Sequence, residues 1–264
     1  MRNLWDSLVL LPTLAKLSSR VPKNPHTAWE RYWAGISHTG RGGQVLWDAG
    51  AASEQERYEE QIRAQLDPAL PVIDVGCGNG TFTRWLAGMF PEAIGVDVSG
   101  SAVARAGAES RDLPNARFLA VDATADGAAG LLREEAGGDA NVFLRGVLHV
   151  LDPAEQARLA ENLHSLVGRR GRVFLAETNF QGNRFQYVAH LGADRRGIPG
   201  PLRRAIEGLP MPGHFGRREC RRVFDPAVWE LLAEGPAVIE AVPMKSSGST
   251  ERIPGYFAAL RALG

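Results

Sequence analysis

The 264-residue sequence predicts a doubly wound α/β domain. Three observations predict it. From residue 70 onward, short β-rich runs alternate with helix-length segments. The runs are apolar almost throughout, as strands buried on both faces of a parallel sheet are. A polar residue stands at or just beyond the C-terminal end of each run, where an open parallel sheet binds its ligands.

The five runs are Val72-Ile-Asp-Val, Ala93-Ile-Gly-Val, Phe118-Leu-Ala-Val, Asn141-Val-Phe-Leu and Arg172-Val-Phe-Leu-Ala. Before the fifth, Asp152-Pro-Ala-Glu offers an N-cap, a proline at the first helical position and a glutamate at the third, the signature of a capping box. Leu159, Leu163 and Leu166 then share one helix face, and Gly168 ends it. Asp225-Pro reads as the start of a further helix that stops at Gly235-Pro236. A last strand pair follows over residues 237–242 and 256–260. Residues 1–65 precede the first strand, carry four of the six tryptophans, and read as an N-terminal helical cap on a domain spanning 66–264. Residues 180–224, rich in Gly, Pro and Arg, are too long for a simple connection and read as a lid insertion.

Composition excludes several function classes. With 44% hydrophobic and 23% charged residues the chain is an ordinary globule, not a disordered one. No apolar run approaches the roughly 18 residues of a membrane span. Thirty basic side chains balance thirty acidic ones, so no global field argues for nucleic acid or a membrane surface. Two cysteines, Cys77 and Cys220, match neither a disulfide framework nor a zinc spacing, which points to a reducing, cytoplasmic setting. Leu4, Leu8, Leu11 and Leu14 fall at helical spacing, so the N-terminal segment is expected to pack on the body or on a second subunit. The alternative for the stretch Leu8-Val-Leu-Leu, a secretion signal, lacks a small-residue cleavage site and is interrupted by Pro12. Between Arg195 and Arg222 lie eight arginines and two acids. That excess is either a mouth for an anionic substrate or a solvated or subunit-facing surface. The paired arginines lack interleaved aromatics, which argues against nucleic acid.

The first strand runs into Asp74-Val-Gly76-Cys-Gly78-Asn79-Gly80, the second ends at Asp97 and the third at Asp122. The fourth runs into Arg145-Gly-Val-Leu-His149, and the fifth ends at Glu177-Thr-Asn179. Such a glycine loop permits a tight turn and a close backbone approach. The dinucleotide pattern, however, wants Gly or Ala where this chain has Thr81.

These residues carry a resemblance. Val72-Ile-Asp74-Val-Gly76-Cys-Gly78-Asn79-Gly80, Gly95-Val-Asp97-Val98-Ser99, Asp122-Ala123 and Leu166-Val-Gly-Arg-Arg-Gly171 resemble, in order and spacing, the motifs of class I S-adenosylmethionine-dependent methyltransferases. The resemblance implies a Rossmann-like seven-stranded sheet, mostly parallel with an antiparallel C-terminal strand. It implies S-adenosyl-L-methionine as cofactor and S-adenosyl-L-homocysteine as its product. It further implies that the loop from Gly76 to Gly80 passes under the cofactor's amino-acid and ribose portion. Asp97, with Val98 beside it, takes both ribose hydroxyls, a charge-assisted pairing. Asp122 and the Ala123 backbone take the adenine, and Asp74 either meets the ammonium or braces the loop.

Methyl transfer needs little covalent help, so positioning supplies much of the rate. A hydroxyl or ammonium acceptor also needs a base. His149 is the candidate, because imidazole titrates near neutrality and it follows the fourth strand; the alternative is a packed histidine. Arg145 either orients an acidic substrate or the cofactor carboxylate, or pairs with Glu177. Tyr187, His190 and His214 are weaker candidates in the lid, and His26, His38 and His164 receive no role. Trp47, in Leu46-Trp47-Asp48, is expected to cap the cofactor, since an aromatic face near a sulfonium is attractive. The expected activity is methyl transfer to an O or N atom of a small molecule, in the biosynthetic tailoring of a specialised metabolite. The alternatives are a C-methyltransferase, a cyclase or isomerase on the same fold, or a non-catalytic binder of the cofactor. No metal cluster is expected.

Overall fold

A computed structural model describes residues 12–49, 52–244 and 250–264. In chain order the elements are α1 (Pro25–Ala34), α2 (Ala52–Gln65), β1 (Val72–Val75), α3 (Thr81–Leu86), β2 (Ala93–Asp97), α4 (Gly100–Glu109) and β3 (Ala116–Ala120). Then come α5 (Ala128–Glu135), β4 (Asn141–Arg145), a 3-10 turn (Leu148–Val150), α6 (Pro153–Val167) and β5 (Val173–Thr178). The chain ends with α7 (Arg184–His190), α8 (Gly200–Gly208), α9 (Arg217–Val223), β6 (Trp229–Ala241) and β7 (Glu251–Ala262).

The strands form one seven-stranded sheet in the order β3-β2-β1-β4-β5-β7-β6. Neighbours from β3 to β5 pair in parallel, and β7 runs antiparallel to both β5 and β6. The chain steps outward from β1 to β3 and then returns to place β4 on the other side of β1. That reversal opens a crevice at the C-terminal ends of β1 and β4.

Strand periodicity divides the core. Ile73, Val142 and Leu144 face α6, whose Leu159, Leu163 and Leu166 bury against them as their spacing predicts. Val72, Phe143 and Phe174 face the opposite side, against Tyr58 and Ile62 of α2. α2 therefore forms part of the layer on that sheet face, while α1 packs against α4 and α8 near the crevice. On the α2 face the rings of Phe82, Phe143, Phe174 and Phe257 stack in a row, with neighbouring centroids 5.5–5.8 Å apart. The capping box holds as expected: Asp152 Oδ1 accepts the Ala154 and Glu155 N–H groups, each at 2.8 Å, and Glu155 accepts the Asp152 N–H at 2.9 Å.

Two expectations are corrected. The segment after Asp225 is not a helix. Asp225 caps a single turn, and Trp229–Ala241 then becomes edge strand β6 along the whole of β7. Helix formers such as Leu231, Leu232 and Ala233 are overridden by tertiary pairing. Pro236 is tolerated because β6 lies at the sheet edge, where one side of the strand needs no donor. The third strand also starts and ends earlier than read, so Asp122 lies two residues past Ala120.

The 180–224 insertion carries α7, α8 and α9. Of the N-terminal leucines, Leu14 is buried with Leu17 against Leu46, Val188 and Leu202, while Leu4, Leu8 and Leu11 lie outside the described residues.

Phe143 is fully buried in the centre of the ring stack. Phe143→Ala is expected to lower stability by about 3–5 kcal/mol, read from urea unfolding.

Candidate active site

Three backbone turns build the floor of a cleft. Gly76, Gly78 and Gly80 all adopt left-handed conformations, with φ of 75°, 54° and 77°. At all three a side chain is also excluded by contact, at Gly80 by Phe118 Cε1, 2.6 Å from the Cβ position. A Cβ on Gly76 would lie 2.5 Å from Val147 Cγ2, and one on Gly78 would lie 2.6 Å from Trp33 Cζ2. The loop is tied to the next strand where the Gly78 N–H donates to Asp97 Oδ2 at 3.0 Å. Asp97 Oδ1 accepts the Ser99 N–H at 2.9 Å.

Asp74 and Asp97 are buried carboxyls at the ends of adjacent strands. Thr83 Oγ1 donates to Asp74 at 2.6 Å. Among the described residues, neither carboxyl has an ion pair with a cationic side chain. Burial pushes Asp97 up to about 6. Burial, aided by the Asp97 charge, pushes Asp74 up to about 7. Burial also raises the Cys77 thiol well above its ordinary range, which suits a packing residue and not a nucleophile. Asp122 Oδ1 accepts the Thr124 N–H at 2.8 Å and its hydroxyl at 2.7 Å, and Oδ2 lies 3.4 Å from His26 Nε2.

The N-terminal region latches onto this floor. Asp48 accepts Asn79 Nδ2 at 2.9 Å, Thr81 Oγ1 at 3.0 Å and the Gly40 N–H at 2.7 Å. Beside it Trp47 stacks on Tyr32, with centroids 5.5 Å apart at 22°, and meets the Trp29 ring edge-on at 5.7 Å.

On the far side stands His149, in the 3-10 turn after β4. Glu177, fully buried, accepts the backbone N–H groups of Val147, Leu148 and His149 at 3.0, 2.9 and 3.3 Å. The same carboxylate lies 2.6 Å from His149 Nδ1. In the neutral imidazole, a carboxylate acceptor at this position puts the hydrogen on Nδ1 and leaves Nε2 with the lone pair.

Asp74, Gly76, Gly78, Asn79, Asp97, Val98, Asp122, Ala123, Arg145, His149 and Trp47 line one cleft, as the sequence reading expects. Gly80 and Glu177 stand behind it: Gly80 turns the chain into α3, and Glu177 meets the lining through the Val147 N–H and through His149. Its expected catalytic contact is therefore corrected to a positioning one. Arg145 is corrected too, since its partner is not Glu177. Arg145 Nε bonds Glu54 Oε1, Nη2 bonds Oε2 at 2.8 Å, and the guanidinium lies over the Phe82 ring, 4.7 Å from its centroid. None of the eight arginines of residues 195–222 lines the cleft, so the anion-attracting mouth is not found there.

Three participants escape sequence reading: His26, Asp48 and Glu54. The partners that draw them into the site, Asp122, Asn79 and Arg145, lie tens of residues away, and no local pattern marks them. The one available signal for Asp48 is its place next to Trp47.

The cleft encloses about 1810 Å³ of non-atom space, open mouth included.

Comparison with known proteins agrees with this geometry. Residues 72–171 match the family described as "Methyltransferase domain". A 53-residue stretch is 47% identical to trans-aconitate 2-methyltransferase of Deinococcus radiodurans, covering 19% of this chain and spanning only 20% of the length of that relative. The solved SAM-dependent methyltransferase from Anabaena variabilis is similar over 92% of this chain and 97% of its own, at 26% identity and a TM-score of 0.77. The N-methyltransferase NodS from Bradyrhizobium japonicum, solved with S-adenosyl-L-homocysteine, shares the fold over 91% of this chain and 100% of its own, at 13% identity and a TM-score of 0.54.

Asp74 gives a pH prediction. Its folded-state value lies above the ordinary 3.8, so its contribution to stability is full below about pH 4 and is lost as pH rises through about 7. Asp97 acts in the same direction. Asp74→Asn is therefore expected to stabilise the ligand-free protein at pH 8, by an amount on the order of a few kcal/mol that shrinks toward pH 4, in thermal melts across that range.

Proposed function

The chain carries a class I S-adenosylmethionine-dependent methyltransferase domain, and on that premise we propose that it methylates an O or N atom of a small molecule, in the tailoring of a specialised metabolite. The observation that carries the reading is the pair of buried strand-end carboxyls, Asp74 and Asp97, set around a left-handed glycine loop with no cation between them. A buried charge without a partner is costly. A ligand that brings an ammonium and hydroxyl donors to this position relieves that cost. Asp97 accepts one N–H on each oxygen and keeps lone pairs for the two ribose hydroxyls. Asp74 meets the ammonium. Asp122, Ala123 and Val98 take the adenine and its surroundings, with His26 as a neighbour that sequence reading overlooks. Trp47 and the Asp48 latch close the site over the loop.

When bound, S-adenosyl-L-methionine would supply an electrophilic methyl to the acceptor's lone pair, with S-adenosyl-L-homocysteine as the leaving thioether. His149 Nε2 takes the proton that the acceptor hydroxyl or ammonium gives up. Glu177 holds the imidazole in the required tautomer and stabilises the imidazolium that results. Arg145, already committed to Glu54, holds α2 to β4 and shapes the cleft wall.

The first test is calorimetric titration of the purified chain with S-adenosyl-L-homocysteine. Binding by the wild type is expected, with Asp97→Ala weakening it about tenfold or more. Absence of binding by folded wild-type protein overturns the reading. Trp47→Leu is expected to weaken the same titration, and unchanged affinity removes Trp47 from the cofactor site.

Once an acceptor is identified by a product mass gain of one CH₂ unit, His149→Ala is expected to lower kcat about 10²–10⁴-fold while cofactor affinity holds. Glu177→Gln is expected to lower kcat in the same sense, again without loss of cofactor affinity. Equal loss of both quantities assigns the pair to cofactor binding instead.

A further inference from the structure

We propose that the acceptor is an uncharged, predominantly apolar molecule, bound in the half of the cleft between the β6–β7 strand pair and the 180–224 insertion. The proposal rests on the methyltransferase reading above and adds the substrate class. The cleft is chemically two-sided. Its acids Asp74, Asp97 and Asp122 gather at the ends of β1 to β3. The opposite end is built from different elements. Ile239 and Ile253 face one another in the β6–β7 register. Leu202 and Ile206 project one turn apart from α8, Val188 projects from α7, and Met211 follows α8.

The polar side chains that the described residues place at this end, Thr178 and Tyr187, are uncharged. Burial pushes the Tyr187 phenol up to about 12, so it stays neutral. The guanidinium of the lining, Arg145, has both Glu54 carboxylate oxygens as partners. The arginine-rich insertion turns its charge away: Arg203, Arg217, Arg218, Arg221 and Arg222 are exposed, and none of them lines the cleft.

An anionic acceptor would bury its charge here without a cation, facing five acidic residues across the cleft once Asp48 and Glu155 are included. A cationic acceptor would meet no carboxylate at the apolar end. The acids elsewhere in the cleft already accept hydrogen bonds: Asp48 from Asn79 and Thr81, Asp97 from Gly78 and Ser99, Asp122 from Thr124, and Glu155 from Asp152. An uncharged molecule with its bulk against the isoleucines and leucines, and one hydroxyl toward His149, meets neither difficulty.

The test uses the full chain saturated with S-adenosyl-L-homocysteine and titrated calorimetrically with matched probes. These are 1-naphthol, 1-naphthoate, 1-naphthylmethylammonium and the tricarboxylate trans-aconitate. The expected result is that 1-naphthol binds about tenfold more tightly, or better, than any charged probe. Met211→Glu is expected to abolish that preference while leaving S-adenosyl-L-homocysteine affinity within about twofold. Should Met211→Glu fail to bind S-adenosyl-L-homocysteine, Ala205→Glu, on the half-buried flank of α8, replaces it. Tighter binding of a charged probe, no binding of 1-naphthol, or indifference to both variants overturns the proposal and leaves the methyltransferase reading standing. Failure of the wild type to bind S-adenosyl-L-homocysteine overturns both.

Discussion

The three positions without a side chain between Asp74 and Thr81, Gly76, Gly78 and Gly80, are the constraint on which the site depends. Three elements remote in sequence use the space that the glycines leave. Val147, after β4, sits against Gly76; Trp33, on α1, sits against Gly78; and Phe118, on β3, sits against Gly80. The Gly78 N–H then ties the loop to the end of β2 through Asp97. A methyl group on either of the first two glycines would push apart the N-terminal region and the β4 turn that carries His149. The loop is thus less a flexible connection than the contact point that sets the distance between the two walls of the cleft.

Around that point the chain accepts local instability. Asp74 and Asp97 are raised by the same burial that would favour apolar residues at their positions. They are tolerated because the sheet beneath is heavily packed on both faces, with the ring stack on one side and the α6 leucines on the other. Arg145 and Glu54 show the contrasting solution. They are equally buried, but joined as a two-point pair they carry no such penalty beyond their own desolvation. The first pair has the character of a binding site, the second that of a structural brace.

What the sequence made legible follows the range of the interactions involved. The first, second, fourth and fifth strands, the Asp152 capping box and the glycine loop all write their signals within a few residues, and all appear where read. The first half of β6 reads as a helix because its state is decided by β7, more than ten residues further on, against its own helix-forming leucines. None of the alternatives open to Arg145 in the sequence includes its partner, for the same reason. Glu54 lies 91 positions away on a helix whose packing against the sheet no local pattern announces. The arginine pairs of the insertion misled in another way. Charge density along a sequence says nothing about which way a helix turns, and α8 turns Leu202 and Ile206 inward.

The two corrections together alter the chemistry of the cleft. Had Arg145 been free, and had the insertion pointed its arginines inward, the acceptor end would carry a strong positive field suited to carboxylates. With Arg145 bound to Glu54 and the insertion's leucines inward, that field is absent from the lining. On the proposed reading, selectivity then falls to shape and apolar contact, and proton removal falls to the imidazole that Glu177 orients from behind. A buried carboxylate that accepts three backbone N–H groups as well as Nδ1 cannot swing to serve the substrate itself. On that reading the fixed geometry leaves His149 Nε2 as the base for the acceptor, and the side chains around the acceptor can then be apolar.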